Sequence, residues 1–474
     1  MKHNRNRTGG QSVDMLNGPL LSKIIIFALP LAATSILQQL FNAVDTAVVG
    51  RFASSQAMAA VGSNNSIINL IIALFVGMSV GANVVIASLI GQQRTAEISD
   101  AVHTAVVVAL GSGLILLAAG QLVAAPLLRM VNTPEDVIDL ASLYLRIYFL
   151  GMPFIMFYNF GSAILRSKGD SSRPLYALMA GGTVNVFLNL LLVIVFHLHV
   201  IGVAAATVTS NAISAGIIFG VLSREEDAFR VEIRKLRIHR KHLSRILRIG
   251  LPAGLQGVVF SLSNTVIQSG INSFGSMASA GSAAALNYEI VAYYFVQAFN
   301  QAAVTFTSQN YAAGKYDRCK SVFRIALISS ILATLAFDYM VLFARVPLIG
   351  IFTSDPEVYT FAATRLFCVL SFQFLVNSYE ISGSAMRGMG YSLTPTVLMI
   401  FGTCVFRIFW VMAIFPRFNT FRMLLLVYPA SWILTGLLVL PTYFVIRRKC
   451  FRGNNHLTGG AHMFRAGRSE EPHV

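Results

Sequence analysis

Twelve long apolar stretches constrain the fold of this chain more than any other feature of its sequence. A helix that crosses a membrane needs about 20 predominantly apolar residues. Only 12% of the 474 residues are charged, whereas a soluble chain would carry about 25%. The sequence therefore predicts an all-α membrane protein with twelve transmembrane helices, at residues 24–47, 60–87, 101–125, 138–162, 174–196, 203–222, 246–271, 281–307, 322–344, 360–384, 395–415 and 424–446.

The Lys and Arg residues lie mostly in the short segments after every second span and in the two chain ends. Basic loops stay on the cytoplasmic side of a membrane. This bias accounts for the net charge of +16, so we predict no nucleic-acid partner. We predict instead a multi-pass protein of the cytoplasmic (inner) membrane, surrounded by the lipid bilayer, with both termini in the cytoplasm.

The longest charged segment, residues 223–248, separates two sets of six spans. Its simplest interpretation is a solvated linker that helps to fix the topology. We therefore predict five regions: a cytoplasmic tail at 1–18, an N-lobe at 19–222, a basic cytoplasmic linker at 223–245, a C-lobe at 246–446 and a basic cytoplasmic tail at 447–474.

The two halves of the sequence repeat each other. Pro30 in FALPLAATSILQQLFN pairs with Pro252 in IGLPAGLQGVVFSLSN, 222 residues later, and ILRSKGDSSRP at 164–174 pairs with AMRGMGYSLTP at 385–395, 221 residues later. A nearly constant offset indicates a duplicated six-helix unit, and both copies run the same way through the membrane. Two bundles related by a pseudo-twofold axis enclose a central cleft and can rock to give alternating access, as in secondary transporters. Since each chain contains its own cleft, we expect a functional monomer.

Further segments add a family resemblance: GPLLSKIIIFALPLAATSILQQLFNAVDTAVVGRF near the N-terminus, NVFLN at 185–189, TSQNYAAGKYDR at 307–318 and IGIFTSDPEV at 349–358. In their order and spacing they resemble the multidrug and toxic compound extrusion (MATE) family, and they are most similar to its bacterial DinF-like branch. The resemblance implies two six-helix lobes around a V-shaped cleft. It also implies an antiporter that exports lipophilic, often cationic, organic compounds in exchange for H⁺ or Na⁺.

Asp45, near the far end of the first span, is the first candidate for a functional residue, since a carboxylate inside a membrane is costly. Pro30 in the same span invites a helix bend. The alternative is a structural cap at the outer interface. The family resemblance implies a polar cluster around this acid, formed by Asn185, Asn189 and Thr207, although the family has an acid where Asn189 stands. With one carboxylate left, we favour H⁺ over Na⁺ as the coupling ion, and Na⁺ at this cluster stays possible.

Three other acids lie well inside predicted spans. Glu380 is a candidate second coupling acid, with Arg407 as its partner, or else half of a structural ion pair. Glu289, beside three tyrosines, could attract a cationic substrate, or it could reach solvent near the outer end of its helix. Asp338 is interpreted as interfacial.

Two other functions are weighed against drug export. A flippase for a lipid-linked intermediate would need a strongly basic cavity, and the basic residues within the spans are few: Arg146, Arg365 and Arg407. A channel or membrane-bound enzyme has no specific signal in the sequence. There is no phosphate-binding loop for ATP, so we predict a protein that is not an enzyme and needs no cofactor or metal beyond the coupling ion.

Overall fold

The computed structural model describes residues 12–52, 55–130, 133, 135–225 and 227–452, and these are helical almost throughout. The outer parts of the two predicted tails, residues 1–11 and 453–474, lie outside the described residues. We label the long helical segments α1 (Leu20–Phe52), α2 (Ser55–Gly91), α3 (Thr95–Met130), α4 (Glu135–Leu150 and Met152–Lys168), α5 (Ser172–Val195), α6 (His199–Ser223), α7 (Arg240–Asn272), α8 (Ser276–Ala312), α9 (Tyr316–Phe343), α10 (Pro356–Gly388), α11 (Leu393–Phe418) and α12 (Phe421–Arg452).

Ten helices of the described chain are long and apolar enough to cross a membrane, or eleven if the two parts of α4, bent by 47°, count as one span. Helix α8 completes the twelve. It has 37 residues, and its buried positions include Asn300, Thr305, Ser308 and Asn310. Polar residues within a membrane face the interior of a helix bundle, and α8 packs against α1, α2, α9 and α10. The prediction of twelve transmembrane helices is confirmed.

The helices form two bundles, α1–α6 and α7–α12, as the repeat predicts. Several helix pairs cross the boundary between them, and among these α1 packs against α8 and α2 packs against α7. The repeat exchanges α1 with α7 and α2 with α8, so these contacts are related by the pseudo-twofold axis. Glycines bring α2 and α7 close together, since a Cβ on Gly77 would lie 2.2 Å from the backbone nitrogen of Gly254.

The repeat extends to local backbone geometry. Gly169 after α4 has φ 103° and Gly390 after α10 has φ 93°, a left-handed conformation that favours glycine. The two helices are also interrupted at matching places. Helix α4 bends at Gly151, and α10 is broken between Leu370 and a 3₁₀ turn that begins at Gln373. The sequence repeat therefore specifies helix ends and helix breaks as well as helix number.

Residues 12–18 precede α1 and bridge the two bundles; we call them the N-terminal segment. The Val13 N–H donates a 3.0 Å hydrogen bond to the carbonyl oxygen of Gly169, beside α4. The Met15 carbonyl oxygen accepts hydrogen bonds from Asn310 of α8 at 3.0 Å and from Arg318 of α9 at 3.2 Å. The Met15 side chain is 1% exposed. This part of the predicted tail is therefore packed structure.

The described chain ends lie on the same side of the molecule, which we call the terminal side. Phe451, near the end of α12, stacks on Tyr316 at the start of α9, with ring centroids 4.8 Å apart. The N-terminal segment contacts α9 two residues after Tyr316, through Arg318. The charged connection between the bundles, residues 224–239, is shorter than the predicted linker because α7 begins at Arg240. Helix α12 continues past residue 446 to Arg452.

Candidate functional site

Asp45 lies in α1, near the end that is farther from the terminal side, and its side chain is 8% exposed. The Asn189 Nδ2 group of α5 donates a hydrogen bond to Asp45 Oδ1, and Thr207 Oγ1 of α6 lies 3.3 Å from Asp45 Oδ2. Asn189 Nδ2 also lies 3.2 Å from Asn185 Oδ1. The structure therefore brings together all four residues that the family resemblance implies. Their role in ion coupling stays a prediction.

Helix geometry explains this cluster. Asn185 and Asn189 are four residues apart and so lie on one face of α5. Gly182, one turn earlier, lets α1 approach closely, because a Cβ there would lie 1.8 Å from Cε2 of Phe41. Asp45 follows Phe41 by four residues and therefore faces α5 as well.

The hydrogen bonds of Thr207 bear on the protonation of Asp45. Thr207 Oγ1 lies 2.9 Å from the Val203 carbonyl oxygen, which can only accept, and a hydroxyl has one proton to donate. If Thr207 donates to Val203, its contact with Asp45 requires a proton on Asp45. The Asn189 Oδ1 atom is buried and accepts no hydrogen bond from a described residue. The cluster can thus hold a proton on Asp45, or a hard cation among its oxygen atoms.

Two tyrosines of α4 extend the cluster. The rings of Tyr144 and Tyr148 stack with centroids 6.2 Å apart, and both side chains lie within electrostatic reach of Asp45. Sequence reasoning missed them because tyrosine is common near membrane interfaces. Their spacing of four residues was the available signal, since it places both rings on one helix face.

Pro30 lies where α1 passes from one bundle to the other. Before it, Ile24, Phe27 and Ala28 pack in a core built mainly from the second bundle, and Phe27 contacts Phe306 of α8 edge to face at 5.7 Å. After it, Asp45 bonds to α5 and α6 of the first bundle. Helix α1 is continuous from Leu20 to Phe52, but Pro30 has no N–H to donate within it.

Glu380 lies in a second polar cluster, between α10 and α8. Its Oε2 atom accepts a 3.0 Å hydrogen bond from Asn300 Nδ2, and Tyr293 OH lies 3.4 Å from its Oε1. Arg387, two turns along α10, acts on this carboxylate electrostatically. Glu380 is 5% exposed.

The predicted pairing of Glu380 with Arg407 is wrong. Arg407 Nε donates to Ser431 Oγ of α12 at 3.0 Å, and Nη1 donates to Asn264 Oδ1 of α7 at 3.1 Å. Its guanidinium carbon also lies 5.0 Å from the ring centroid of Tyr428. The cause is helix orientation: Arg407 faces α7 and α12, whereas Glu380 faces α8.

The predicted alternative in which Glu289 reaches solvent is wrong, and its role at a cationic substrate stays a prediction. Arg365 of α10 donates from Nε and Nη2 to the two carboxylate oxygens of Glu289, at 2.7 and 2.9 Å. Glu289 is 7% exposed and Arg365 is 2% exposed, so the pair is buried and bidentate. The interfacial prediction for Asp338 is also wrong, since this residue is 0% exposed.

The fold and the buried polar clusters define a class: a multi-pass membrane transporter built from two repeated bundles. The MatE family model matches residues 30–191 and again residues 252–412. The chain therefore belongs to the MatE family, which confirms the predicted resemblance.

The chain is similar to known transporters along most of its length. The chain is 28% identical over 386 residues to the probable multidrug resistance protein YoeA of Bacillus subtilis (strain 168), covering 79% of this chain and 83% of YoeA. It is 27% identical over 382 residues to the probable multidrug resistance protein NorM of Thermotoga maritima, covering 79% and 82%. A solved outward-facing multidrug resistance MATE family transporter of the MOP superfamily has a TM-score of 0.87 at 21% identity, covering 94% of this chain and 99% of that one.

Proposed function

We propose that this transporter is an H⁺-coupled antiporter that exports lipophilic, often cationic, organic compounds across the cytoplasmic membrane. The observation that carries the proposal is the buried contact of Asp45 with Asn189 and Thr207. A buried carboxylate needs donors or a counter-ion, so gain or loss of a proton changes which hydrogen bonds Asp45 makes. The multidrug resistance names of YoeA and NorM support organic compounds as substrates.

Helix α1 can convert this proton step into movement, because it contacts both bundles. Protonation of Asp45 changes its bonds to α5 and α6, and α1 repacks or bends at Pro30, where a helix hydrogen bond is missing. This movement narrows the central cleft on the side of the first bundle, and substrate leaves outward. Delivery of the proton to the cytoplasm returns the transporter to its starting state.

Two features support H⁺ over Na⁺. The cluster has one carboxylate, so it offers a cation less negative charge than a site with two acids. The Thr207 hydroxyl has one proton to donate, and both the Val203 carbonyl oxygen and Asp45 lie within its reach, so a proton on Asp45 would satisfy both contacts. Both features fit a protonated Asp45.

We assign the terminal side to the cytoplasm because basic side chains gather there, among them Lys168, Arg173 and Lys315. Hydrogen bonds between the bundles cluster toward this side. Ser308 of α8 donates to the Val84 carbonyl oxygen at 2.8 Å, and Gln309 donates to the Ser167 carbonyl oxygen at 2.6 Å. The conformation is accordingly one that is closed toward the cytoplasm.

A lipid-linked-intermediate flippase has less support. Of the three arginines considered for a basic cavity, Arg365 is neutralised by Glu289, and Arg407 is buried among Ser431, Asn264 and Tyr428. A pyrophosphate group would have to break these contacts before either guanidinium could bind it.

The test is efflux of a fluorescent cation from liposomes under an imposed pH gradient or, separately, an imposed Na⁺ gradient. Asp45→Asn should abolish efflux driven by the pH gradient while membrane insertion is kept. Asp139→Asn, which alters an exposed acid of α4, is the matched control and should transport normally. Full pH-driven efflux by Asp45→Asn would refute the proposal. Wild-type efflux that is driven by a Na⁺ gradient alone would show that the coupling ion is Na⁺ and not H⁺.

A further inference from the structure

A buried polar column runs between α9 and α10. Ser330, Thr334 and Asp338 are spaced four residues apart on α9, and Asn377 and Gln373 are spaced four apart on α10. The Ser330 hydroxyl donates to Asn377 Oδ1, and Asn377 Nδ2 lies 3.4 Å from Thr334 Oγ1. None of the five residues is more than 4% exposed. Such a column in the interior of a bundle is costly unless its polar atoms are satisfied.

Helix register extends this column to Asp338 and Gln373. Consecutive membrane helices run in opposite directions, and Thr334 faces Asn377. One turn farther from the terminal side, Asp338 of α9 therefore faces Gln373 of α10. Gln373 lies in the 3₁₀ turn that interrupts α10, and this turn packs against α9.

The Gln373 side chain is held in place from the other side. Its Nε2 atom donates a 2.9 Å hydrogen bond to the Glu289 carbonyl oxygen. With the amide nitrogen used in this way, its Oε1 atom is left as a free acceptor. That oxygen is buried and takes no hydrogen bond from any described residue.

Asp338 also lacks hydrogen-bond donors among the described residues. Both of its carboxyl oxygens are buried, and neither accepts a hydrogen bond from the part of the chain that the structure describes. The nearby Glu289 carboxylate acts on Asp338 electrostatically. Arg365 cannot compensate, because Glu289 takes it in a bidentate pair and the Tyr428 ring lies 5.7 Å from its guanidinium carbon. An ionised Asp338 would be an uncompensated buried charge beside a second carboxylate, which proteins avoid.

We propose that Asp338 is a second proton-binding site of the transporter, which is protonated in this conformation and donates its proton to Gln373 Oε1. A single proton then neutralises the buried acid and satisfies the orphan amide oxygen.

A counter-ion would have to be basic, and the basic groups on helices packed against α9 are engaged or exposed. Arg365 pairs with Glu289, and Arg387 acts on Glu380. Arg345 donates to the Leu342 carbonyl oxygen, Lys23 donates to the Asp14 and Asn17 carbonyl oxygens, and Arg51 is exposed at the end of α1. The remaining charged groups, Asp45, Glu357 and Glu380, are acids.

The site would give the second bundle its own proton, separate from Asp45 in the first bundle. Asp338 lies on α9 and Gln373 at the break in α10, so any change in the packing of these helices separates donor from acceptor. Release of the proton would follow when water reaches the carboxyl. This role in the cycle rests on the proposed H⁺ coupling, whereas the protonation itself can be observed without transport.

Infrared difference spectroscopy of the purified protein at neutral pH tests the protonation. The carbonyl stretch of a neutral carboxyl differs from that of a carboxylate and shifts in D₂O. The wild-type minus Asp338→Asn spectrum should contain one neutral-carboxyl band. Asp355→Asn is the matched control: Asp355 accepts hydrogen bonds from the N–H groups of Glu357 and Val358 at 2.8 and 3.2 Å, so its removal should take away only a carboxylate band.

A second variant keeps the proposal testable if Asp338→Asn does not fold. Gln373→Leu removes the acceptor, so the Asp338 band should remain and move to higher frequency as its hydrogen bond is lost. Loss of only a carboxylate band in Asp338→Asn, or an unshifted band in Gln373→Leu, would overturn the proposal. The efflux assay of Asp45→Asn tests proton coupling in the first bundle, whereas the infrared spectra test protonation of Asp338 in the second. Failure of the proposed H⁺-coupled export would therefore appear in efflux, and failure of the Asp338 site would appear in the infrared bands.

Discussion

Thr305 of α8 donates a 2.9 Å hydrogen bond to Asn83 Oδ1 of α2, and both side chains are 0% exposed. Asn83 also donates through Nδ2 to the Ala163 carbonyl oxygen of α4, at 3.1 Å. One amide thus ties α8 of the second bundle to two helices of the first. Because the bond crosses the boundary between the bundles, we expect it to break when they separate on the terminal side.

Thr305→Val should favour opening on that side. The change keeps side-chain volume but leaves Asn83 Oδ1 buried without a donor, which costs about 1–3 kcal/mol in the closed state alone. We expect the ratio of open to closed molecules to rise by about 5- to 150-fold. Spin labels at Thr95 and Asp317, one exposed position in each bundle, would report the opening as a longer distance between the labels in pulsed electron paramagnetic resonance. Valine at Thr209, an exposed site on α6, is the control, and an unchanged distance distribution in Thr305→Val would contradict the expectation.

Asn189→Asp should change ion preference. It places a second carboxyl against Asp45, and two adjacent carboxylates cannot both ionise without a shared proton or a cation. We expect efflux that gains a dependence on Na⁺, measured in liposomes with an imposed Na⁺ gradient at constant pH. Asn185→Asp adds the same charge one turn earlier on α5, where the interaction with Asp45 is weaker than that of Asn189, and should gain less. Na⁺ dependence that is equal in both variants would argue against a specific Asp45–Asn189 site.

The Glu289–Arg365 pair should stabilise the fold rather than bind substrate. Arg365→Met alone leaves a buried carboxylate unpaired, and we expect a loss of about 3–5 kcal/mol. Adding Glu289→Gln removes the orphan charge, so the double variant should recover much of this loss. Thermal unfolding in detergent measures both effects. Efflux of a cationic dye that is lost in the folded double variant would show instead that Glu289 contributes to substrate binding.

Glu225, just after α6, ties the bundle connection to the first bundle. Its carboxylate accepts hydrogen bonds from Lys168 at the end of α4 and from Arg173 at the start of α5. Burial opposes the charge, but these hydrogen bonds and charges outweigh it and hold the pKa of Glu225 below its usual 4.5. A lowered folded-state pKa gives stability that is present above pH 4.5 and is lost as the pH falls through the folded value.

We therefore expect wild type to melt higher than Glu225→Gln at pH 7, by an amount that disappears as the pH is lowered below about 4.5. The difference should be no more than about 1 kcal/mol, because the lysine and arginine are partly exposed and solvent screens them. Melting curves of both proteins in detergent over this pH range would measure it. A difference that grows toward acid pH would contradict the sign.

The two bundles could be predicted from the sequence because the same motifs occur in both halves of the chain. Pro30 with Pro252 and Gly169 with Gly390 fix helix order and helix ends in both halves. Asp45 was found because it interrupts an apolar run, and the family resemblance supplied its neighbours. The partners of Glu289 and Arg407 and the burial of Asp338 were not predictable, because they depend on which face of each helix turns toward which neighbour. Apolar residues cover both lipid-facing and buried surfaces of these helices, so their pattern does not reveal that rotation.

The N-terminal segment has a consequence for how the chain is made. The Met15 carbonyl oxygen bonds to Asn310, 295 positions later. At about 5–20 residues per second, the ribosome needs about 15–60 seconds to supply that partner after Met15 has emerged. This segment must therefore stay undocked until α8, which carries Asn310, has been synthesised. The contact that it makes between the two bundles therefore cannot form before eight of the twelve helices have been made.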